Sequence, residues 1–258
     1  MSNGSHKNAG MAEGGSPQPN PCCTPAKTLY LLLPARLIAF GAAQIGVALL
    51  LWPGRGLGAA WQASILWWPV SVSLMNIATF ALLIALLRRE NLRYRDLIGF
   101  QRQHFKRDIL VLAAALPVVL ALAIGPNMAL ANLFLHSPEQ AAAMLVQPLP
   151  RPVAWGLLFV LPISIALTEL PFYFGYLMPR LAALKRPWVA LLWPALFAAG
   201  QHITMPLIFD AGFLAWRLLM FIPFTLFLAI ILRWWPRLLA GFMVMHGLLD
   251  LSLSLMLF

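Results

Sequence analysis

Seven apolar runs follow one another along this chain, and most are long enough to cross a hydrocarbon core of about 30 Å as helices. They cover roughly residues 29 to 52, 61 to 87, 108 to 133, 152 to 179, 188 to 209, 213 to 232 and 237 to 257. A lipid core leaves no water for exposed backbone groups, so segments of this kind are restricted to helices. Composition agrees: 61% of the 258 residues are hydrophobic and 10% are charged, too little polar surface for a soluble domain of this length. The fold expected is all-α, a multi-pass transmembrane helical bundle of about seven spans.

The 18 basic residues fall in short connectors, at span ends and in the N-terminal tail. The connector from Arg88 to Arg107 holds Arg88, Arg89, Arg93, Arg95, Arg102, Lys106 and Arg107 against Glu90 and Asp96. By the positive-inside rule it is cytoplasmic. Propagating that orientation puts the N-terminus inside, with Lys27 and Arg36 near it. Arg180, Lys185, Arg186, Arg233 and Arg237 fall inside too, and the outward turns keep only Arg55, Arg151 and Arg217. The net charge of +10 thus describes membrane-flanking loops, with tryptophans 67, 68, 188, 234 and 235 at headgroup level, and no nucleic-acid partner is expected. The connector's Leu92, Leu97, Ile98, Phe100 and Phe105 fit either an amphipathic element on anionic lipid or a solvated loop. Residues 136 to 151 leave room for a short interfacial helix.

Residues 1–27, rich in Gly, Ser, Pro and Asn, read as a disordered tail. Two N-terminal transmembrane helices within 28–87 and a core over 88–258 complete the organisation. Cys22 and Cys23 are adjacent in the tail and build no disulfide framework. The first apolar run lacks a small-residue cleavage signature and reads as a retained anchor. No internal repeat is visible.

Eight acidic residues exist, and only Glu169 and Asp250 lie well inside a span; of five histidines only His202 and His246 do. An ionisable group inside a bilayer is costly and marks a candidate functional site. Counting 1.5 Å per residue from the inner span ends puts Glu169 at about 16 Å, His202 at about 22 Å, His246 at about 14 Å and Asp250 at about 20 Å depth. His246 and Asp250 share a helix face at i and i+4, and Gly247 between them leaves space for another backbone. Pro171 has no N–H to offer the Leu167 carbonyl, which opens the backbone beside the glutamate. The structural alternative is that each histidine makes one helix-to-helix hydrogen bond. Gln44, Asn76, Asn127 and Gln201 read as polar contacts between helices.

The stretches "ELPFYFGYL" (169 to 177), "FAAGQH" (197 to 202) and "HGLLD" (246 to 250) resemble, in order, the motifs of the CPBP intramembrane proteases. That family includes the type II CAAX prenyl endopeptidases and proteins linked to bacteriocin processing and immunity. Its pattern is Glu-Glu-x-x-x-Arg followed by Gly, then Phe-x-x-x-His, then His-x-x-x-Asn/Asp. "DLIGF" at 96 to 100 is similar to the segment preceding the family's core. The resemblance spans about residues 88 to 258 and implies catalytic roles for Glu169, His202, His246 and Asp250. It departs from the pattern at Leu170 for the second glutamate, Phe174 for the arginine, and Ala198 for the phenylalanine, with Phe197 one place earlier. A second register sets Thr168 and Glu169 over the two glutamates and Tyr173 over the arginine, losing the glycine. Positions 170 and 174 face each other at i and i+4. Exchanging both members of a buried ion pair for apolar groups is near neutral, whereas losing one strands a charge.

The resemblance implies peptide-bond hydrolysis with Glu169 as general base on water, and His202 orienting that water or the carboxylate. His246 and Asp250 would stabilise the oxyanion or carry the leaving-group proton. An aspartate donates to an oxyanion only when protonated, and otherwise sets the His246 tautomer. Two histidines and a glutamate also suit zinc, but no HExxH spacing occurs and a glutamate mechanism requires no cofactor. The expected partners are membrane lipid and a membrane-associated protein or peptide substrate, in a bacterial cytoplasmic membrane. Two other classes stand beside it: a catalytically impaired immunity or scaffold protein, and a proton-coupled carrier using the cluster as a relay.

Overall fold

The computed structural model describes residues 24–184 and 186–258. Cys22, Cys23, Lys185 and most of the tail read as disordered lie outside the described residues. Its last residues already belong to the fold, because the first helix, α1, runs Ala26–Leu32. Among the described residues the secondary structure is helical throughout, with no strand.

Proline and glycine punctuation divides the apolar runs. α1 meets α2 (Ala35–Leu51) at Pro34 with a bend of 44°. The run read as 61 to 87 is two helices, α3 (Leu57–Leu66) and α4 (Trp68–Arg89). The break comes at Trp67, just ahead of Pro69, whose fixed φ suits a helix start and whose ring forbids continuation. A short helix α5 (Tyr94–Ile98) interrupts the basic connector, and α6 (Phe105–Leu135) follows. Within that connector Leu92, Tyr94, Leu97 and Ile98 pack on the protein core, while Phe100 and Phe105 stay exposed.

The loop with room for a short helix contains one, α7 (Pro138–Leu145), whose N-cap Ser137 hydroxyl accepts from the Gln140 N–H at 3.1 Å. α8 (Arg151–Leu170) passes through a π-helical stretch, Pro171–Leu177, into α9 (Met178–Ala183). After it come α10 (Pro187–Gly200), α11 (Ala211–Leu219, capped by Asp210), α12 (Ile222–Trp234) and α13 (Leu239–Leu255).

Five of these segments are long and apolar enough to cross a membrane, or six if the bent α1–α2 pair is one span. The run at 188 to 209 is not among them. Its helix α10 has 14 residues, and a 3-10 turn at Gln201–Thr204 ends it ahead of Pro206. The residue before a proline is driven out of helical angles, and Met205 has left them. A hydropathy window sees an unbroken run there because the break costs no apolarity.

The outer surface carries Leu50, Leu110, Trp155, Phe159, Trp188 and Phe209 exposed, apolar contacts suited to lipid rather than water. Such helices with such an exterior are those of a multi-pass membrane protein. At the centre α8 packs between α4 and α13. Gly247 lets α13 come close to α8: a Cβ there would lie 3.2 Å from the Ala166 Cβ and 3.5 Å from the Pro162 carbonyl oxygen. That juxtaposition positions the site.

Candidate functional site

Glu169 sits one residue before the end of α8 and is 3% exposed. The next residues wind as a π-helix, a local widening found often at functional sites. Pro171 offers no N–H to the Leu167 carbonyl, and the Tyr94 hydroxyl donates to it instead at 2.6 Å. α5 therefore braces the backbone two residues ahead of the glutamate.

From α13, His246 faces Glu169 across the Gly247 contact: Nε2 lies 3.5 Å from Oε1. One turn on, Asp250 Oδ2 lies 3.6 Å from the same nitrogen. These separations lie at or just beyond the limit of a direct hydrogen bond. His246 Nε2 and Asp250 Oδ2 are buried with no hydrogen-bond partner among the described residues.

His202 lies on the 3-10 turn after α10, not in the middle of a span helix. Its Nδ1 is 2.9 Å from the Ala198 carbonyl oxygen and 3.2 Å from that of Ala199. A carbonyl only accepts, so Nδ1 carries the proton and Nε2 of the neutral ring is an acceptor. The ring stacks on Phe221 with centroids 3.6 Å apart. The chain neighbour of His202, Gln201, accepts from Arg36 at 2.7 Å, and Arg36 in turn lies 3.7 Å from Glu169. Of the four residues singled out in the sequence, Glu169 and Asp250 thus meet at one nitrogen of His246, and His202 connects to them through Gln201 and Arg36.

Two residues that sequence reasoning placed elsewhere complete the cluster. Arg36, read as a charge flanking the cytoplasmic tail, is buried: its Nη2 lies 3.7 Å from Glu169 Oε2 and its Nε donates to Gln201 Oε1 at 2.7 Å. Arg217, read as an outward turn, is buried too and donates through Nε to the His202 carbonyl at 3.2 Å and through Nη2 to the Met205 carbonyl at 2.9 Å. Both carbonyls belong to the turn that follows α10; that of His202 also accepts from the Met205 N–H at 3.2 Å, and the arginine ties the turn down from a second side. Gln201, read as a contact between helices, holds the Arg36 guanidinium. The signal for Arg36 was present in the sequence: it lies about two turns inside an apolar run, deeper than a flanking charge needs to be.

The other polar contacts join segments far apart in the chain. Gln44 exchanges two hydrogen bonds with the Leu207 backbone, at 2.9 and 2.7 Å, and Asn127 accepts from Trp216 Nε1 at 3.0 Å. At the end of α4, Glu90 pairs with Arg180 and accepts from Thr24 at 2.7 Å and Tyr176 at 3.0 Å. Leu170 and Phe174 are 1% and 3% exposed in the apolar core. No group of three His, Cys, Asp or Glu among the described residues is arranged to hold a metal ion. No family model, no curated protein and no solved structure matches the chain.

Proposed function

We propose that this protein is an intramembrane endopeptidase related to the CPBP proteases, hydrolysing a peptide bond of a membrane-associated protein or peptide. The observation that carries the reading is the buried line Glu169, His246, Asp250, with unpartnered polar atoms at its centre. In this reading Glu169 takes a proton from water as the water oxygen bonds to the carbonyl carbon, and the carbonyl electron pair moves onto its oxygen. The tetrahedral intermediate then expels the amine, which takes that proton from Glu169, leaving a carboxyl product, an amine product and the original carboxylate. Asp250 orients His246, whose Nε2 faces Glu169. His202 Nε2, an acceptor, orients the water.

The same proposal includes orientation and place. Burial of Arg217 removes it from the outward turns, leaving Arg55 and Arg151 there against the basic connector at 88–107. With a cytoplasmic N-terminus, Arg233 and Arg237 return to the inner side only if α10 and its turn count as a crossing, which makes seven spans. A bacterial cytoplasmic membrane suits this arrangement.

One observation favours a second reading. Leu170 and Phe174 stand where the resembling family carries an ion pair, so a non-hydrolytic immunity or scaffold relative is the competing function. The experiment compares membrane peptides from cells carrying wild type and Glu169→Ala, then assays purified wild type and Glu169→Gln in vesicles. Cleavage by wild type that Glu169→Gln abolishes supports the endopeptidase. Biological activity that survives Glu169→Gln supports the scaffold. Loss of a pH-dependent flux with no peptide change supports a carrier.

A further inference from the structure

Hydrolysis of an amide places negative charge on the carbonyl oxygen, and a site for it needs a donor aimed at that oxygen. Resting on the endopeptidase reading, the question is which group in the cluster has an N–H to give. Glu169 and Asp250 as carboxylates only accept. His202 spends its Nδ1 proton on the Ala198 carbonyl. His246 Nε2 also lacks a hydrogen-bond partner, but it has one proton at most to give and lies between two carboxylate oxygens, at 3.5 and 3.6 Å, that compete for it. Arg217 is committed to the His202 and Met205 carbonyls.

Arg36 remains. Its Nε is satisfied by Gln201, which fixes the plane of the guanidinium, yet Nη1 and Nη2 are buried with no hydrogen-bond partner among the described residues. Nη2 lies 3.7 Å from Glu169 Oε2, which sets these donors beside the carboxylate that would activate water. Buried guanidinium N–H groups left open cost stability unless a ligand uses them. We infer that Arg36 is a catalytic residue that donates from its Nη atoms to the carbonyl oxygen of the scissile peptide as negative charge builds there. The role comes from α2, outside the region that resembles the protease core, and moves oxyanion binding away from His246 and Asp250. Those two are left to position Glu169 and relay its proton.

The test uses full-length protein in phosphatidylethanolamine and phosphatidylglycerol vesicles. Its substrate is the peptide whose cleavage separates wild type from Glu169→Ala, and its inhibitor is the phosphinate carrying a tetrahedral phosphorus at the scissile position. Arg36→Gln is expected to lower kcat by about 10² to 10³-fold with KM little changed. Phosphinate affinity should fall in parallel with kcat/KM, a readout that a purely structural role would not move. Arg36→Lys keeps a cation beside Glu169 and decides the matter if Arg36→Gln does not fold; it should lose at least about tenfold, because an ammonium lacks the fork that serves Gln201 and substrate together. Variants that are folded at the assay temperature yet keep kcat, change only KM, or bind the phosphinate unchanged would overturn the inference while leaving the endopeptidase standing. If wild type cleaves no peptide, both fall.

Discussion

Arg36 on α2 and Glu169 on α8 form a buried ion pair, Nη2 to Oε2 3.7 Å, with side chains 1% and 3% exposed. It joins an N-terminal helix to the centre of the candidate site. Removing one member leaves the other charge buried alone, at a cost on the order of 3–5 kcal/mol. Arg36→Gln and Glu169→Gln should therefore each lower the melting temperature in detergent. The double variant should recover part of the loss, and strictly additive losses would show that the two groups are uncoupled.

Gly247 lets α13 lie against α8, and a Cβ there already meets Ala166 and Pro162 at 3.2 and 3.5 Å. Gly247→Leu is expected to destabilise by about 1–3 kcal/mol through overpacking. It should also abolish any activity that needs His246 beside Glu169. Circular dichroism melts paired with the peptide assay measure both; a variant with full stability and activity would show that this approach is not required.

The Tyr94 hydroxyl donates to the Leu167 carbonyl that Pro171 cannot serve. Tyr94→Phe should cost about 1 kcal/mol, the net worth of a hydrogen bond of this kind. Hydrogen exchange should rise around residues 167 to 172 more than elsewhere, and uniform protection in the variant would place the brace in another contact.

Glu90 predicts a pH dependence. Burial works to raise its carboxyl pKa, but the Arg180 guanidinium, the Thr24 and Tyr176 hydroxyls and the Arg180 charge outweigh it and hold the group below the ordinary carboxylate value. A carboxyl with a depressed folded-state pKa contributes its full stability above the unfolded value of about 4.3 and loses it as pH falls through the folded one. Glu90→Gln should melt below wild type at neutral pH, and the gap should close on acidification below about pH 4. A gap that persisted through acid would mean the pairing is not what Glu90 contributes.

The sequence alone determined what solvent this chain requires and which residues stand out in it. Long apolar runs admit only helices in lipid, so the all-helical architecture and the long helices α4, α6 and α8 were legible from hydropathy. Glu169, His202, His246 and Asp250 were legible because an ionisable group within an apolar run is conspicuous, and Gly247 because a residue without a side chain invites a neighbour. Helix breaks at Trp67 and Gln201 were not, since they change backbone angles without changing apolarity. Nor were the partners of Arg36 and Arg217. The depth of Arg36 in its run hints that it is buried, but which group a buried arginine meets depends on how helices far apart in the chain pack. Only the tertiary structure decided what both arginines meet in the interior, one the glutamate and the other the carbonyls of His202 and Met205.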